Sequence, residues 1–164
     1  MFTPKKYEST GGIEGLSGKQ LSEHYKLYEG YIKKANEIRE KMAAVDKSLA
    51  NATYSEVGEL KRQESFALNG IKLHEAYFGV MGGDGKPSGL IEEEIIRDFG
   101  SFEAWKEDVV AAGLSARGWV VLAHDTDAAP YSRSMSMSMR ILWITGLIGK
   151  TISKRFSITS TGRR

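Results

Sequence analysis

The sequence predicts an α+β fold, with an N-terminal antiparallel helical hairpin followed by a mixed α/β domain whose antiparallel sheet is incomplete. Two long stretches of helical periodicity occupy residues 17–81. A connector rich in Gly and Pro follows at residues 82–89. Two shorter helical patterns and one β-branched, apolar stretch come next. We therefore divide the chain into a hairpin domain at 1–83, an α/β domain at 84–127 and an atypical basic tail at 128–164.

The composition is that of a soluble globular protein. The chain has 164 residues, of which 41% are hydrophobic and 27% are charged, so it can bury a sizeable core. It has no cysteine, which excludes disulfides, thiolate metal sites and cysteine nucleophiles. The N-terminus lacks the apolar run of a secretory signal, and the longest apolar run, at 141–148, is too short to span a bilayer. We expect a cytoplasmic protein with no membrane partner.

The first predicted helix begins at Ser17 or Ser22 and carries an apolar face that includes a histidine. His24 and Tyr31 are seven residues apart, which is two helical turns, so they share that face. The face as a whole consists of Leu21, His24, Leu27, Tyr28, Tyr31, Ile32, Ala35 and Ile38.

The second predicted helix opens at Thr53, which forms a capping-box pattern with Glu56, and runs to about Met81 before Gly82 and Gly83. Apolar and aromatic residues recur around His74 at steps of three and four, and Gly70 lies one turn before it, leaving space beside the imidazole. The helix passes through Leu60, Phe66 and Leu68, and its inward positions are Ile71, His74, Tyr77, Phe78 and Met81. In an antiparallel hairpin His24 can approach His74. From spacing alone, His74 is either a metal ligand or a buried structural histidine.

The second domain is predicted to contain two short helices and a strand. Residues 90–99 form the first helix, and the acidic cluster at 92–94 is interpreted as a solvated face. Ser101 caps the second helix, which runs to about Ala112. Residues 118–124 form the buried strand. The inward positions of the helices are Ile91, Ile95, Ile96, Trp105 and Val109.

The last 37 residues differ from the rest of the chain, and we predict no regular structure for them. Residues 1–127 carry 16 Lys and Arg against 21 Asp and Glu, a net charge of −5, whereas residues 128–164 carry seven basic residues and no acid, a net charge of +7. Such a tail has the charge to bind acidic surfaces or nucleic acid. It contains no recognisable nucleic-acid-binding motif, so we do not expect a nucleic-acid partner.

Linked motifs over about residues 10–127 resemble, in the same order, the iron/manganese superoxide dismutase family. They are Leu21-x-x-His24 with Tyr31-Ile32, then Asn69-Gly70-x-x-x-His74-x-x-Tyr77-Phe78, Gly85-x-Pro87-Ser88-Gly89, Phe99-Gly100-Ser101-Phe102-x-x-Trp105-Lys106, and Gly118-Trp119. The spacing from His24 to Tyr31 is one residue shorter than in the best-known members. Gly70 stands where iron-type members often have a glutamine, which is similar to the manganese-type arrangement.

The resemblance implies a superoxide dismutase with an Fe or Mn ion, superoxide as the substrate and a homodimeric assembly. It implies that His24 and His74 are metal ligands and that Tyr31 is the catalytic residue at the substrate channel. It also implies that Gly70, Tyr77 and Trp119 surround the metal site. The choice between Fe and Mn stays open. His124 lies where the family has no ligand, and we interpret it as structural.

One departure removes half of the expected site. The family completes its ligands with a C-terminal segment similar to Asp-x-Trp/Tyr-Glu-His-Ala-Tyr, but this chain has no acid after Asp127 and no histidine after His124. A shift of one base allows residues 135–140 to read Asp-Val-Tyr-Glu-His-Ala, so our hypothesis is a frameshifted C-terminus. We therefore expect impaired dismutase activity. The alternative is a non-catalytic dismutase-like interaction module with a basic tail.

Overall fold

Helices dominate the two units into which the chain divides in a computed structural model. The first unit is Met1–Gly82, and the second begins at Gly83. The structure describes residues 1–125 and 138–144. Within them, none of the helices combines the length and the apolar character needed to cross a membrane.

Two long helices form the first unit. Helix α1 is Gly18–Ala44 and helix α2 is Glu56–Gly79. Short 3-10 helices at Glu8–Gly11 and Lys47–Leu49 precede and follow α1. The start of α1 contacts the end of α2 through His24 and His74, while Arg39 lies 3.7 Å from Glu64 further along. The two helices are therefore antiparallel, and the predicted hairpin is confirmed.

The core of the hairpin comes from facing positions of both helices. Its buried members are Leu21, Tyr28, Ile32 and Ala35 of α1 and Ala67, Ile71 and Phe78 of α2. Leu27 was predicted to lie on the apolar face of α1, but it is 53% exposed. Leu27 precedes the buried Tyr28 by one residue, which rotates it by about 100° around the helix axis.

The caps explain where the helices begin. Ser17 caps α1 in a capping box, because its hydroxyl accepts the Gln20 N–H while its own N–H donates to Gln20 Oε1. Helix α2 is capped by Ser55, whose Oγ accepts the Gly58 N–H at 3.2 Å. The capping box predicted at Thr53 is therefore wrong, since the Thr53 N–H donates to Asn51 Oδ1 in the preceding turn. Helix α2 also ends earlier than predicted, with its C-cap at Val80.

The N-terminal segment packs along the hairpin. The side chain of Asn36 bonds both backbone groups of Phe2, accepting its N–H at 2.8 Å and donating to its carbonyl at 2.9 Å. The Arg39 guanidinium lies 4.1 Å from the centre of the Phe2 ring. Tyr25 donates its hydroxyl hydrogen to the Lys5 carbonyl at 2.9 Å. The segment is therefore held at two places along α1.

The second unit contains helix α3, Leu90–Phe99, and helix α4, Phe102–Ser115. Ser101 caps α4 as predicted, accepting the Ala104 N–H at 3.0 Å. The core of this unit holds Ile95, Trp105 and Val109. Ile96 was predicted to face inward but is 47% exposed, because it follows the fully buried Ile95 by one residue.

Two strands pair in the second unit. Strand β1, Trp119–Asp125, lies antiparallel to strand β2, Ser138–Ile144, with Trp119 opposite Ile144 and Asp125 opposite Ser138. The absence of regular structure predicted for the tail is therefore wrong over 138–144, where the sequence Arg-Ile-Leu-Trp-Ile favours a strand. The remaining tail residues, 128–137 and 145–164, lie outside the described residues.

Candidate metal centre

The hairpin brings two histidines together. The rings of His24 in α1 and His74 in α2 have centroids 4.8 Å apart and planes at 79° to each other. His74 is 2% exposed, and His24 is partly buried. The approach that the antiparallel hairpin allowed is thus found. Two converging imidazoles from separate helices are an arrangement that can bind one ion.

A backbone carbonyl orients the His74 ring. His74 Nδ1 lies 2.7 Å from the oxygen of Gly70, one turn earlier in α2. A carbonyl only accepts hydrogen bonds, so Nδ1 carries the hydrogen and donates it. The lone pair of a neutral His74 ring is then on Nε2. A hydrogen bond on the other ring nitrogen is the usual way in which proteins orient a metal-binding imidazole.

Burial keeps both imidazoles neutral. Desolvation, assisted by repulsion from His74, lowers the pKa of His24 to about 4. Desolvation also lowers the pKa of His74, although the hydrogen bond to Gly70 acts in the opposite direction. Metal coordination requires the neutral imidazole. Near neutral pH the pair therefore needs to release no proton before it can coordinate an ion.

The ring of Tyr31 fills the space next to His74. Its centroid lies 5.3 Å from that of His74. A Cβ atom on Gly70 would lie only 2.5 Å from Tyr31 Cδ1, so the glycine is what allows this approach. The open space predicted beside the imidazole is therefore wrong, because Tyr31 occupies it. Tyr31 is partly buried, with one part of its surface in reach of solvent.

Other aromatic rings enclose the pair. The ring centroid of Tyr77 lies 4.7 Å from that of His24, and the centroid of Phe78 lies 5.6 Å from it. The ring of Tyr28 is stacked on His74, with 6.3 Å between the ring centroids. Tyr28 was predicted only as a core residue. Its position four residues after His24, on the same face of α1, is the signal that could have placed it beside the pair.

Trp119 belongs to the second unit. It is the first residue of β1, and His124 lies later in the same strand. That Trp119 lies near the metal site, and that His124 is structural, both stay predictions.

The donor set in the described residues amounts to half of a metal site. Among the residues whose side chains the structure describes, no group of three or more His, Asp or Glu is placed to hold an ion. The two neutral imidazoles are donors that suit Fe and Mn. The residues present therefore fit the histidine part of such a site, without a carboxylate to complete it.

Comparisons with known proteins agree with the motifs. Residues 87–141 match the family model described as iron/manganese superoxide dismutases, C-terminal domain. The chain is 41% identical over 128 residues to "Superoxide dismutase [Fe]" of Aquifex aeolicus, which covers 74% of this chain and 60% of the relative. It is 37% identical over 116 residues to the protein of that name from Cupriavidus metallidurans, covering 68% of this chain and 58% of the relative.

A manganese-type relative is also similar. "Superoxide dismutase [Mn] 1" of Haloferax volcanii is 33% identical over 127 residues, which cover 75% of this chain and 62% of the relative. The chain spans about 60% of the length of these curated relatives. The resemblance to the iron/manganese superoxide dismutase family that the motifs indicate is thereby confirmed.

Proposed function

We propose that the chain belongs to this family and is a superoxide dismutase with an incomplete metal site. The observation that carries the proposal is the His24–His74 pair, whose rings are 4.8 Å apart at the meeting of two antiparallel helices. Each histidine belongs to a different motif of the family resemblance, His24 to the first and His74 to the second. The whole chain's activity toward superoxide follows from that resemblance.

An Fe or Mn ion at the pair would supply the one-electron couple that oxidises one superoxide to dioxygen and reduces a second, with two protons, to hydrogen peroxide. His74 would bind the ion through Nε2, because Nδ1 is engaged by Gly70. His24 would bind from the facing helix. Tyr31, beside His74 and partly exposed, would restrict access to small anions, and Tyr77 would exclude water on the His24 side.

The proposal includes weak metal binding. Two neutral imidazoles bring no negative charge to the ion, and Fe²⁺ and Mn²⁺ are the weaker binders among the divalent first-row metals. A carboxylate and a third imidazole would normally raise the affinity, but the described residues contain no such group near the pair. We therefore expect little metal and feeble turnover.

The experiment is metal analysis of the purified chain together with an assay of superoxide consumption. We expect well under one Fe or Mn per chain and a low rate, which falls further in His74→Gln. His124→Gln is the matched control and should leave both values unchanged. One ion per chain with the high turnover of an efficient enzyme would refute the impairment, and no histidine-dependent consumption at all would refute the dismutase proposal.

We propose that the missing ligands are encoded in another reading frame. Residues 135–139 alternate between Met, whose codon is always ATG, and Ser, whose codons begin with TC or AG. After a one-base shift, each ATG contributes AT to the end of one codon and G to the start of the next. The shifted codons therefore alternate between those that end in AT and those that read GTC or GAG. The codons ending in AT encode only Asp, His, Asn or Tyr, and those between them encode only Val or Glu. The family pattern Asp-Val-Tyr-Glu-His satisfies every one of these restrictions. Sequencing the coding DNA tests this hypothesis. If no single-base insertion or deletion in that DNA restores the pattern, the hypothesis is wrong.

The domain boundaries at 83 and 127, a homodimer and a cytoplasmic location also belong to the proposal. The absence of cysteine suits a reducing compartment, and dimers are implied by the resemblance. Light scattering on the purified chain tests the assembly: a mass of about twice 18.2 kDa is expected for a dimer. A monomer at all concentrations would contradict it.

A further inference from the structure

A second polar cluster lies in the hairpin behind His74, formed by Tyr28, Glu75 and Lys5. Tyr28 is fully buried. Its hydroxyl donates to Glu75 Oε1 at 2.9 Å and accepts the Lys5 backbone N–H at 3.0 Å. Lys5 Nζ lies 2.5 Å from Glu75 Oε2 and fixes the carboxylate from the other side. A phenol with two hydrogen-bond partners is thus aligned on a carboxylate.

Aromatic rings connect this cluster to the histidines and to the surface. The Tyr28 ring lies 6.3 Å from that of His74, with only 25° between their planes. The Tyr25 ring lies 5.5 Å from the Tyr28 ring. Tyr25 is partly exposed, so a chain of three rings runs from the candidate metal site to solvent. Electrons can move between aromatic rings at such separations.

Because Tyr28 is buried, its oxidation depends on a proton acceptor next to its hydroxyl. The Tyr28 hydroxyl donates its hydrogen to Glu75 Oε1, so the phenol is protonated at rest. A phenol that loses an electron becomes a strong acid, and in a buried site it then needs an acceptor already in place. Glu75 Oε1 is that acceptor.

We propose that Tyr28 and Glu75 form a redox-active tyrosine pair, in which loss of one electron from the Tyr28 ring is coupled to transfer of its phenolic hydrogen to Glu75 Oε1. The oxidant is a one-electron inorganic radical of the hydroxyl class, such as peroxide yields with a reduced metal ion. The hydroxyl radical gains the electron and a solvent proton and becomes water. Tyr28 becomes a neutral radical, and Glu75 becomes a neutral carboxylic acid.

The pair is restored through Tyr25. Tyr25 passes an electron to the Tyr28 radical, while Glu75 returns its proton to Tyr28. The exposed Tyr25 hydroxyl, which donates to the Lys5 carbonyl at rest, breaks that hydrogen bond and gives its proton to a solvent water. A soluble reductant of the thiol or ascorbate class then reduces Tyr25 with one electron and one proton. The pair would thereby carry oxidising equivalents away from the histidines. This role goes beyond the proposed dismutase function, and its test needs no bound metal.

The test oxidises the metal-free full-length chain with azidyl radicals generated by pulse radiolysis. Freeze-quench electron paramagnetic resonance, with ring-deuterated tyrosine to assign the signal, should detect a tyrosyl radical of fixed side-chain geometry, and it should live longer in Tyr25→Phe, which lacks the electron donor. Tyr28→Phe should remove this signal. Tyr54→Phe, which changes a tyrosine that is 75% exposed, should retain it.

The proton acceptor is tested with Glu75→Gln, which keeps the shape of the side chain. We expect the Tyr28 radical to form about 100-fold more slowly, which is the lower end of what a positioned proton acceptor contributes. Glu64→Gln is the matched control, because Glu64 also lies on α2 and forms ion pairs, but with Lys61 and Arg39 rather than with Lys5. It should keep the wild-type rate.

Two results would overturn the proposal. One is the same radical signal in a Tyr28→Phe chain that has the wild-type circular dichroism spectrum. The other is an unchanged rate of radical formation in Glu75→Gln. Should Tyr28→Phe fail to fold, Glu75→Gln decides alone. Loss of dismutase activity would affect neither result, so failure of the two proposals can be told apart.

Discussion

Gly70 connects two parts of the candidate metal centre. Its carbonyl accepts the hydrogen of His74 Nδ1, and the space left by its missing side chain holds the ring of Tyr31. A single helical residue thus orients one ligand and positions its neighbour. Both effects depend on the backbone of α2 staying regular at this point.

Gly70→Ala is predicted to destabilise the protein. A Cβ at 2.5 Å from Tyr31 Cδ1 forces the ring to move. We expect a net loss of about 1 kcal/mol in the free energy of unfolding, because overpacking costs about 1–3 kcal/mol and the helix preference of alanine returns about 1 kcal/mol. Gly30→Ala in α1 is the control, since nothing lies within 4 Å of its Cβ position. It should stabilise the protein, and equal effects at both sites would contradict the account.

Because burial lowers the pKa values of the two histidines, we expect the free energy of unfolding to decrease in acid. The pKa of His24 is about 4 in the folded chain against 6.5 for an ordinary histidine, so the unfolded chain binds more protons between these values. Stability of the metal-free chain is then complete above about pH 6.5 and is lost as the pH falls toward 4. The expected loss is on the order of 2 kcal/mol, after allowing for solvent screening.

Urea unfolding at a series of pH values measures this loss. In His24→Gln the decrease between pH 6.5 and 4 should be smaller than in the wild type, because the side chain that titrates there is absent. A His24→Gln variant with the wild-type pH profile would show that another group is responsible.

The sequence allowed the meeting of His24 and His74 without fixing it, and it did not locate Tyr31. Helical spacing fixes which side of its helix a residue occupies, and an antiparallel hairpin then limits which residues can meet. A glycine beside His74 is compatible with an open space or with a ring packed against the backbone. The choice depends on the distance between the helices at that level, which spacing does not determine.

At the scale of the helices, substitutions at the start of α2 test whether Ser55 or Thr53 is its N-cap. Ser55 bonds the Gly58 N–H and is 7% exposed, while Thr53 lies in the preceding turn. Ser55→Ala is expected to lower the free energy of unfolding by about 1 kcal/mol, the usual cost of losing an N-cap. Thr53→Ala should change it by less than about 0.5 kcal/mol, since its side chain caps nothing. Urea unfolding distinguishes them, and a larger effect at Thr53 would restore the original prediction.

Periodicity predicted the existence of the helices better than their faces. Leu27 and Ile96 are apolar and lie next to buried residues, Tyr28 and Ile95, yet each is about half exposed. A sequence pattern cannot separate the centre of an apolar face from its edge, because single exposed apolar residues are common in soluble proteins. Strand β2 was missed for another reason: a strand is stabilised by the partner with which it pairs, here β1, and a pattern read along one segment does not contain that partner.

For the whole molecule, the incomplete candidate site and the charge pattern of the sequence favour the same explanation. The described residues supply two imidazoles and no third His, Asp or Glu to complete a metal centre. The change in net charge from −5 to +7 falls at residue 128, where the quoted motifs end, while the match to the family model continues to residue 141. These observations support one hypothesis, in which the missing ligands and the atypical tail share a cause.

Restoring the reading frame is therefore predicted to restore the site. A chain that keeps residues 1–127 and continues in the repaired frame should bind about one Fe or Mn per chain and gain superoxide consumption by several orders of magnitude, since it regains a carboxylate and a third imidazole. The control carries His74→Gln in the repaired chain and should lose both gains. No gain of metal in a folded, repaired chain would contradict the frameshift hypothesis.

Titration of the metal-free chain with Mn²⁺ tests the central claim most directly, because it measures the His24–His74 pair without reference to activity. Isothermal calorimetry should detect one weak site in the wild type, and His24→Gln and His74→Gln should each abolish it. His124→Gln should bind Mn²⁺ as the wild type does. Binding that survives both substitutions of the pair would show that the two imidazoles, 4.8 Å apart in the hairpin, are not the metal centre.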